Sequence, residues 1–291
     1  VNTPPVALTV AGSDSGGGAG IQADLTTFAA HGVHGASAVT AVTVQDTTGV
    51  HGFHLMPPDV VIAQIRAVLT DLRPVAVKTG MLGGAATADA VGALAADGLL
   101  PCLVVDPVLV STSGHSLAGA GVTVALREHL LPHATVVTPN TDEAAALLDC
   151  APAATLDEQV DQARALVDLG CQTVVVTGGA FEQRGGAGGP QRVDVIATSD
   201  GVRTFASPEV ATTNDHGTGC TFASAVAAGL AHGLTTRAAV ETARTFVRTA
   251  LLHAADWRIG RGRGPVSHVQ TQPQTQTQTQ TQSSPPRGEH A

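Results

Sequence analysis

The sequence predicts an α/β protein, a mostly parallel central sheet with helices on both faces, and three observations predict it. Short β-branched runs alternate with helical stretches along nearly the whole chain. A polar or otherwise special residue closes nearly every strand, namely Gly12, Gln45, Lys78, Asp106, Asn140 and Thr177; in open α/β sheets ligands bind at that edge. Two glycine-spaced turns, residues 12–20 and 214–219, open directly onto helices, as anion-binding turns do.

The elements follow in order. Residues 6–11 are a short apolar strand, followed by a glycine loop and a helix over 21–30. The loop does not match G-x-G-x-x-G, and no Gly-Lys-Ser/Thr closes a P-loop. Alternating β-branched residues make 36–44 a strand ending at Gln45-Asp46. Pro57-Pro58 starts a helix whose Val61, Ile65, Val68 and Leu72 share a face. Residues 75–77 are a strand, 85–96 a helix and 103–105 a buried strand. Residues 121–131 are helical, 135–138 a strand, and helices follow through Leu148 and over 156–169. Residues 173–176 are a strand, and 184–190 a glycine-rich loop expected to be mobile. Residues 193–197 and 202–205 pair antiparallel around Asp200-Gly201. The second glycine turn and its Ala-rich helix come next, then a last helix over 236–254. This places one domain in residues 1–268. The Thr-Gln tail, 269–291, has too few apolar residues to offset its ordering entropy and is expected to be disordered and dispensable.

Composition narrows the function. A net charge of −9 argues against non-specific nucleic-acid binding, which needs a basic patch. No apolar stretch approaches a membrane span and no signal peptide is visible, so a cytoplasmic location is expected. Cys102, Cys150, Cys171 and Cys220 form no C-x-x-C pair, which speaks against zinc and a disulfide framework; Cys102 and Cys171 are expected in or near the core. The histidines form no convergent ligand cluster and are expected at the surface. Lys78 is the only lysine in the chain.

The strongest chemical signal is Asn214-Asp215-His216-Gly217-Thr218-Gly219-Cys220-Thr221. Glycines let successive N–H groups converge at the positive end of a helix dipole, where an anion is stabilised. The same field favours the thiolate of Cys220, so a partly ionised thiol is expected beside an anion hole. That combination suits phosphoryl transfer; for the glycine motif taken alone, a turn capping a buried helix is the better reading.

The chain carries Ala11-Gly12-Ser13-Asp14-Ser15-Gly16-Gly17-Gly18-Ala19-Gly20-Ile21-Gln22-Ala23-Asp24, Thr43-Val44-Gln45, Lys78-Thr79-Gly80-Met81-Leu82, Asp106-Pro107-Val108, Thr138-Pro139-Asn140-Thr141-Asp142-Glu143 and His216-Gly217-Thr218-Gly219-Cys220. In that order they resemble the hydroxymethylpyrimidine/phosphomethylpyrimidine kinases of thiamine biosynthesis, from residue 6 to about 268. The resemblance implies a ribokinase-like three-layer α/β/α fold, ATP and Mg²⁺ as cofactors, a small aminopyrimidine as substrate and a homodimer. It implies that Gly217, Thr218 and Gly219 offer N–H groups to the transferring phosphoryl group, with Cys220 as base. Gln45 would read the pyrimidine, because an amide offers one donor and one acceptor. Asp24 would contact the same ring, and Gly12, Met81 and Val108 would supply close backbone and apolar walls. Asn140, Thr177, Gly179 and Lys78 would serve the nucleotide, with Asp106 as a second possible partner of Lys78. Glu143 and Asp106 would serve the metal, although Asn140 and Glu143 also have the spacing of a helix cap. Many relatives carry a lysine where Thr177 stands. Pyridoxal kinase, of the same fold, and a non-catalytic pyrimidine-binding regulator stay open as alternatives.

Overall fold

A computed structural model describes residues 3–110, 117, 119–181 and 190–268. Nine strands form one sheet in the order β3-β2-β1-β4-β5-β6-β7-β8-β9. The central strands are β1 (Val6–Ser13), β4 (Ala76–Thr79), β5 (Leu103–Val105) and β6 (Val136–Val137). They run parallel and, β1's end residues aside, are buried along their length, as continuous apolar strands covered on both faces must be. β2 (His34–Asp46) and β7 (Thr173–Phe181) extend the parallel part. β3 (Gly49–Leu55), β8 (Gln191–Thr198) and β9 (Gly201–Pro208) add antiparallel edges.

Two apolar layers cover the sheet. Phe28 of α1 (Gly20–Ala30), α7 (Thr218–Ala231) and α8 (Thr236–Ala254) pack on Val104, Val136 and Val175 from one side. Residues of α2 (Pro58–Asp71), α3 (Ala85–Ala96), α4 (Val122–Ala125), α5 (Thr141–Leu148) and α6 (Leu156–Asp168) pack on the other. The first connection therefore lies on one face and the second on the opposite one. That makes the carboxyl ends of β1 and β4 a topological switch point, where a crevice opens.

Several expectations change. β3 was not expected; its His- and Gly-containing stretch pairs with β2 after a turn in which Thr48 N–H donates to Asp46 (2.7 Å). The helix expected over 121–131 keeps α geometry only through Ala125. It then widens into a π turn (Leu126–Leu130) and tightens into a 3-10 turn (Leu131–His133) around Pro132, which has no N–H for the ladder. β7 continues past Val176, with a register shift between Val176 and Gly179. Cys171 is buried as expected, but Cys102 is exposed, held at φ 43° in the turn before β5. The loop at 184–190 lies, except for Pro190, outside the described residues, as does the tail. Among the described residues no helix is long and apolar enough to cross a membrane.

Candidate active site

A cleft of about 920 Å³ runs along the carboxyl edge of the sheet. Gly12, Gln45, Met81 and Val108 line one end, and Cys220 with the turn before it lines the middle. Asn140, Glu143, Thr177 and Gly178 lead to the other end. Elements 200 residues apart in sequence thus meet in one place because each contributes the end of a strand or the start of a helix.

The start of α7 is built for an anion. Gly217 caps the helix at φ 85°, and a Cβ there would collide with the Gly18 carbonyl; only glycine fits. The N–H of Thr218 is tied to the Asp215 carbonyl (3.2 Å). This corrects its expected place among the donors. Among the described residues the N–H groups of Gly217, Gly219 and Cys220 meet no carbonyl, so they are the donors open to a phosphoryl group.

Cys220 departs from expectation in its ionisation. Part of the residue opens to the cleft, yet protein closes densely round it and burial pushes the thiol up to about 12. Lys78 opposes that shift, while Asp106 and Asp24 reinforce it. The helix field alone suggested a partly ionised thiol; desolvation outweighs it, and the thiol is neutral in the free protein.

Two further residues are placed differently from the expectation. Asp24 does not line the cleft: its fully buried carboxylate accepts from Thr9 (2.6 Å), Ser224 (2.6 Å) and Lys78 (2.9 and 3.1 Å). Lys78 is equally buried and reaches Asp106 at 3.4 Å, so it cannot meet a nucleotide from the solvent side. The suggested Asp106 partnership is present, and Asp24 is the closer partner. Gly179 is buried in the β7–β8 ladder, and Gly178, at φ 78°, faces the cleft instead. The Gly178 peptide is held on both sides, its N–H by Asp194 (3.1 Å) and its carbonyl by Arg192 (3.1 Å).

The acidic pair fits a divalent cation. Asp106 Oδ2 is buried and lies on the cleft; it makes no hydrogen bond among the described residues, and its contact with the Lys78 ammonium is long, at 3.4 Å. Burial raises the Asp106 carboxyl above the usual range despite Lys78, and repulsion from the Asp24 charge adds to the rise. Asn140 and Glu143 form the reciprocal helix cap, each backbone N–H meeting the other side chain at 2.9 Å. Burial, and then the Asp106 charge, push Glu143 up to about 8. Two undercompensated carboxylates with hard oxygen donors are what Mg²⁺ relieves. Among the described residues no group of three His, Cys, Asp or Glu converges, so the remaining ligands would come from phosphates and water.

The Glu143 shift has a measurable sign. Between its ordinary value of 4.5 and about 8 the native state keeps a proton that the unfolded chain has lost. Its contribution to stability is therefore complete below 4.5 and is lost as pH rises through 8. Glu143→Gln, which can still accept the Asn140 N–H, is expected to flatten the fall of Tm across that window. Thermal melts without divalent cations check this; parallel slopes in both proteins would assign the fall to another group.

Sequence reasoning missed Asp14 and His216 as site residues, although both stand inside the quoted motifs. His216 is not at the surface: its side chain is 12% exposed and its Nε2 lies 3.0 Å from Asp14 Oδ2. Also missed were Arg192, Arg244 and Arg248, which bring positive charge to the cleft from β8 and α8; no motif marks them.

The chain matches the family model described as phosphomethylpyrimidine kinase over residues 14–267. The chain belongs to the phosphomethylpyrimidine kinase family. It is 44% identical over 266 residues to a hydroxymethylpyrimidine/phosphomethylpyrimidine kinase of Rhizobium meliloti, covering 90% of this chain and 96% of that one. It is 45% identical over 269 residues to the chloroplastic thiamine biosynthetic bifunctional enzyme of Arabidopsis thaliana; that match takes in 92% of this chain but only 51% of the plant protein. Among solved structures, the pyridoxal kinase of Staphylococcus aureus in complex with AMP-PCP and pyridoxal superposes with a TM-score of 0.81 at 33% identity. That match covers 92% of this chain and 94% of the other. The ribokinase-like fold and a kinase activity follow.

Proposed function

We propose that the protein transfers the γ-phosphoryl group of ATP to the hydroxymethyl oxygen of 4-amino-5-hydroxymethyl-2-methylpyrimidine, and then to the resulting monophosphate. The observation that carries this is the continuity of one cleft. A ring-sized end with an amide, Gln45, and apolar walls, Met81 and Val108, leads directly to Cys220 and the open N–H groups of α7. Gln45 orients the ring, and Gly217, Gly219 and Cys220 N–H groups hold the equatorial oxygens where charge builds up. The sulfur of Cys220 takes the hydroxymethyl proton, a route open to its small ionised fraction. Thr177, Gly178 and the arginines of β8 and α8 receive the nucleotide. Mg²⁺, held by Asp106 and Glu143, would neutralise phosphate charge as the bond to the leaving group breaks.

A second substrate is favoured by one observation, the pyridoxal bound in the Staphylococcus aureus enzyme. Gln45 separates the two. Pyridoxal offers a phenolic oxygen and an aldehyde where the pyrimidine offers its amino edge, and a mismatched ligand strands buried polar groups. The wild type is expected to prefer the pyrimidine in kcat/KM. Gln45→Leu should cost that substrate about 1–3 kcal/mol, mostly in KM, and pyridoxal far less. Equal losses, or a wild-type preference for pyridoxal, would overturn the assignment.

The family resemblance also supports a homodimer. Val42 and Val44, on one face of β2, are 49% and 62% exposed, more apolar surface than a sheet face keeps without cover. Sedimentation should give twice the chain mass, and Val44→Lys should shift it toward the monomer; an unchanged dimer would place the interface elsewhere.

A further inference from the structure

The side chains of Gln45, His216 and Asp14 form a chain of contacts at the ring end of the cleft. Gln45 Nε2 lies 3.2 Å from His216 Nε2, and the same imidazole nitrogen lies 3.0 Å from Asp14 Oδ2. Asp14 is fixed independently. Its carboxylate accepts the N–H groups of Gly16 (2.8 Å), Gly18 (3.1 Å) and Ala19 (2.8 Å). These bonds and the imidazole outweigh burial and hold its carboxyl below the usual range. A carboxylate only accepts, so Nε2 must carry a hydrogen directed at it. That nitrogen then has no lone pair for a second N–H.

The Gln45 amide is the group free to respond. Its backbone is anchored at both ends by Ser15, whose hydroxyl accepts from Gln45 N–H (2.8 Å) and donates to Gln45 C=O (2.7 Å). The side-chain oxygen and nitrogen are alike in shape, and the neighbours decide which faces which way. The single Nε2 hydrogen, directed at Asp14, can be shared with the Gln45 oxygen, whereas an amide N–H would find no acceptor on that nitrogen; the oxygen therefore faces the imidazole.

We infer that Asp14 and His216 are a positioning pair that turns the Gln45 oxygen toward the imidazole and its NH₂ toward the cleft, so that the site recognises an aromatic ring nitrogen acting as hydrogen-bond acceptor. This rests on the pyrimidine kinase function proposed above and names the atom by which the ring is read. One lone pair of the Gln45 oxygen is left for the neighbouring amino group of the ligand.

The test uses the full chain and two substrates: the aminopyrimidine, and its analogue with C–H in place of the ring nitrogen next to the amino-bearing carbon. Wild type is expected to prefer the pyrimidine by roughly tenfold to a hundredfold in kcat/KM. In His216→Leu that preference should fall to within a few-fold, through KM rather than kcat, with the KM for ATP unchanged. Adding Gln45→Leu to it should cost no more than Gln45→Leu alone, since both remove one interaction. His216→Gln, whose amide N–H can stand where Nε2 does, should restore the preference; the shorter His216→Asn should not. Should His216→Leu fail to fold by circular dichroism, the Gln and Asn variants still decide, and equal discrimination by those two would overturn the inference. Additive losses in His216→Leu and Gln45→Leu, in an enzyme that phosphorylates the pyrimidine, would sink the positioning pair alone. A wild type that phosphorylates neither ring would sink it together with the proposed function.

Discussion

Cys220→Ala should retain ATP and pyrimidine binding and lose kcat by roughly a hundredfold to ten-thousandfold, the range a positioned base contributes. Binding survives because the N–H groups of Gly217, Gly219 and Cys220 belong to the backbone and remain at the start of α7. The loss appears in kcat and kcat/KM together, as when an interaction exists only in the transition state. The pH profile gives a second check. With the thiol pushed up to about 12 in the free protein, its ionised fraction grows with every step toward alkaline pH. Wild-type kcat should climb across the neutral range and the variant should not. An alanine enzyme with near-normal turnover and the same climb would leave Cys220 as packing.

Lys78→Met should be the most destabilising single change in the site region. It removes the one ammonium between the carboxylates of Asp24 and Asp106, all three groups being buried. Breaking a buried pair from one side typically costs about 3–5 kcal/mol, because the abandoned charge stays out of water. For a chain of this size that is on the order of 6–15 °C in Tm. Adding Asp24→Asn removes one stranded charge and keeps an acceptor for one of the hydroxyls of Thr9 and Ser224, while the other can turn to accept the amide N–H, so the double variant should regain part of the loss. Thermal melts of the single and double variants at neutral pH measure both. A single variant that melts with the wild type would show that the cluster is relieved by water or a proton.

How far the molecule could be read from its residues depended on the distance over which each one acts. The parallel strands were legible because residues 6–11, Thr9 aside, and Leu103–Val105 are apolar and each is followed by a special residue, Gly12 and Asp106. Gln45, Met81, Val108 and the α7 turn were legible because their motif segments lie at strand or helix ends, where the sheet edge collects them. Asp24 was misplaced because an aspartate on a helix looks solvated until its partner is known, and that partner is 54 positions away. His216 was misread for the same reason, its contacts lying 202 and 171 positions off. The Cys220 shift shows the energetic form of this limit. A helix dipole is a local field that sequence reveals, whereas desolvation and two neighbouring carboxylates exist only after folding. β3 escaped notice because Gly49, His51, Gly52 and His54 dilute any period-two pattern, and pairing with β2 supplies what propensity lacks.

The burial of Lys78 has a consequence outside catalysis. The chain has one lysine, and its ammonium has no accessible surface. A reagent that acylates lysine amines therefore finds its target only in molecules whose sheet has opened around β4. Covalent labelling at this position counts opening events rather than surface encounters, and its rate at excess reagent becomes a clock for the motion that exposes the centre of the fold.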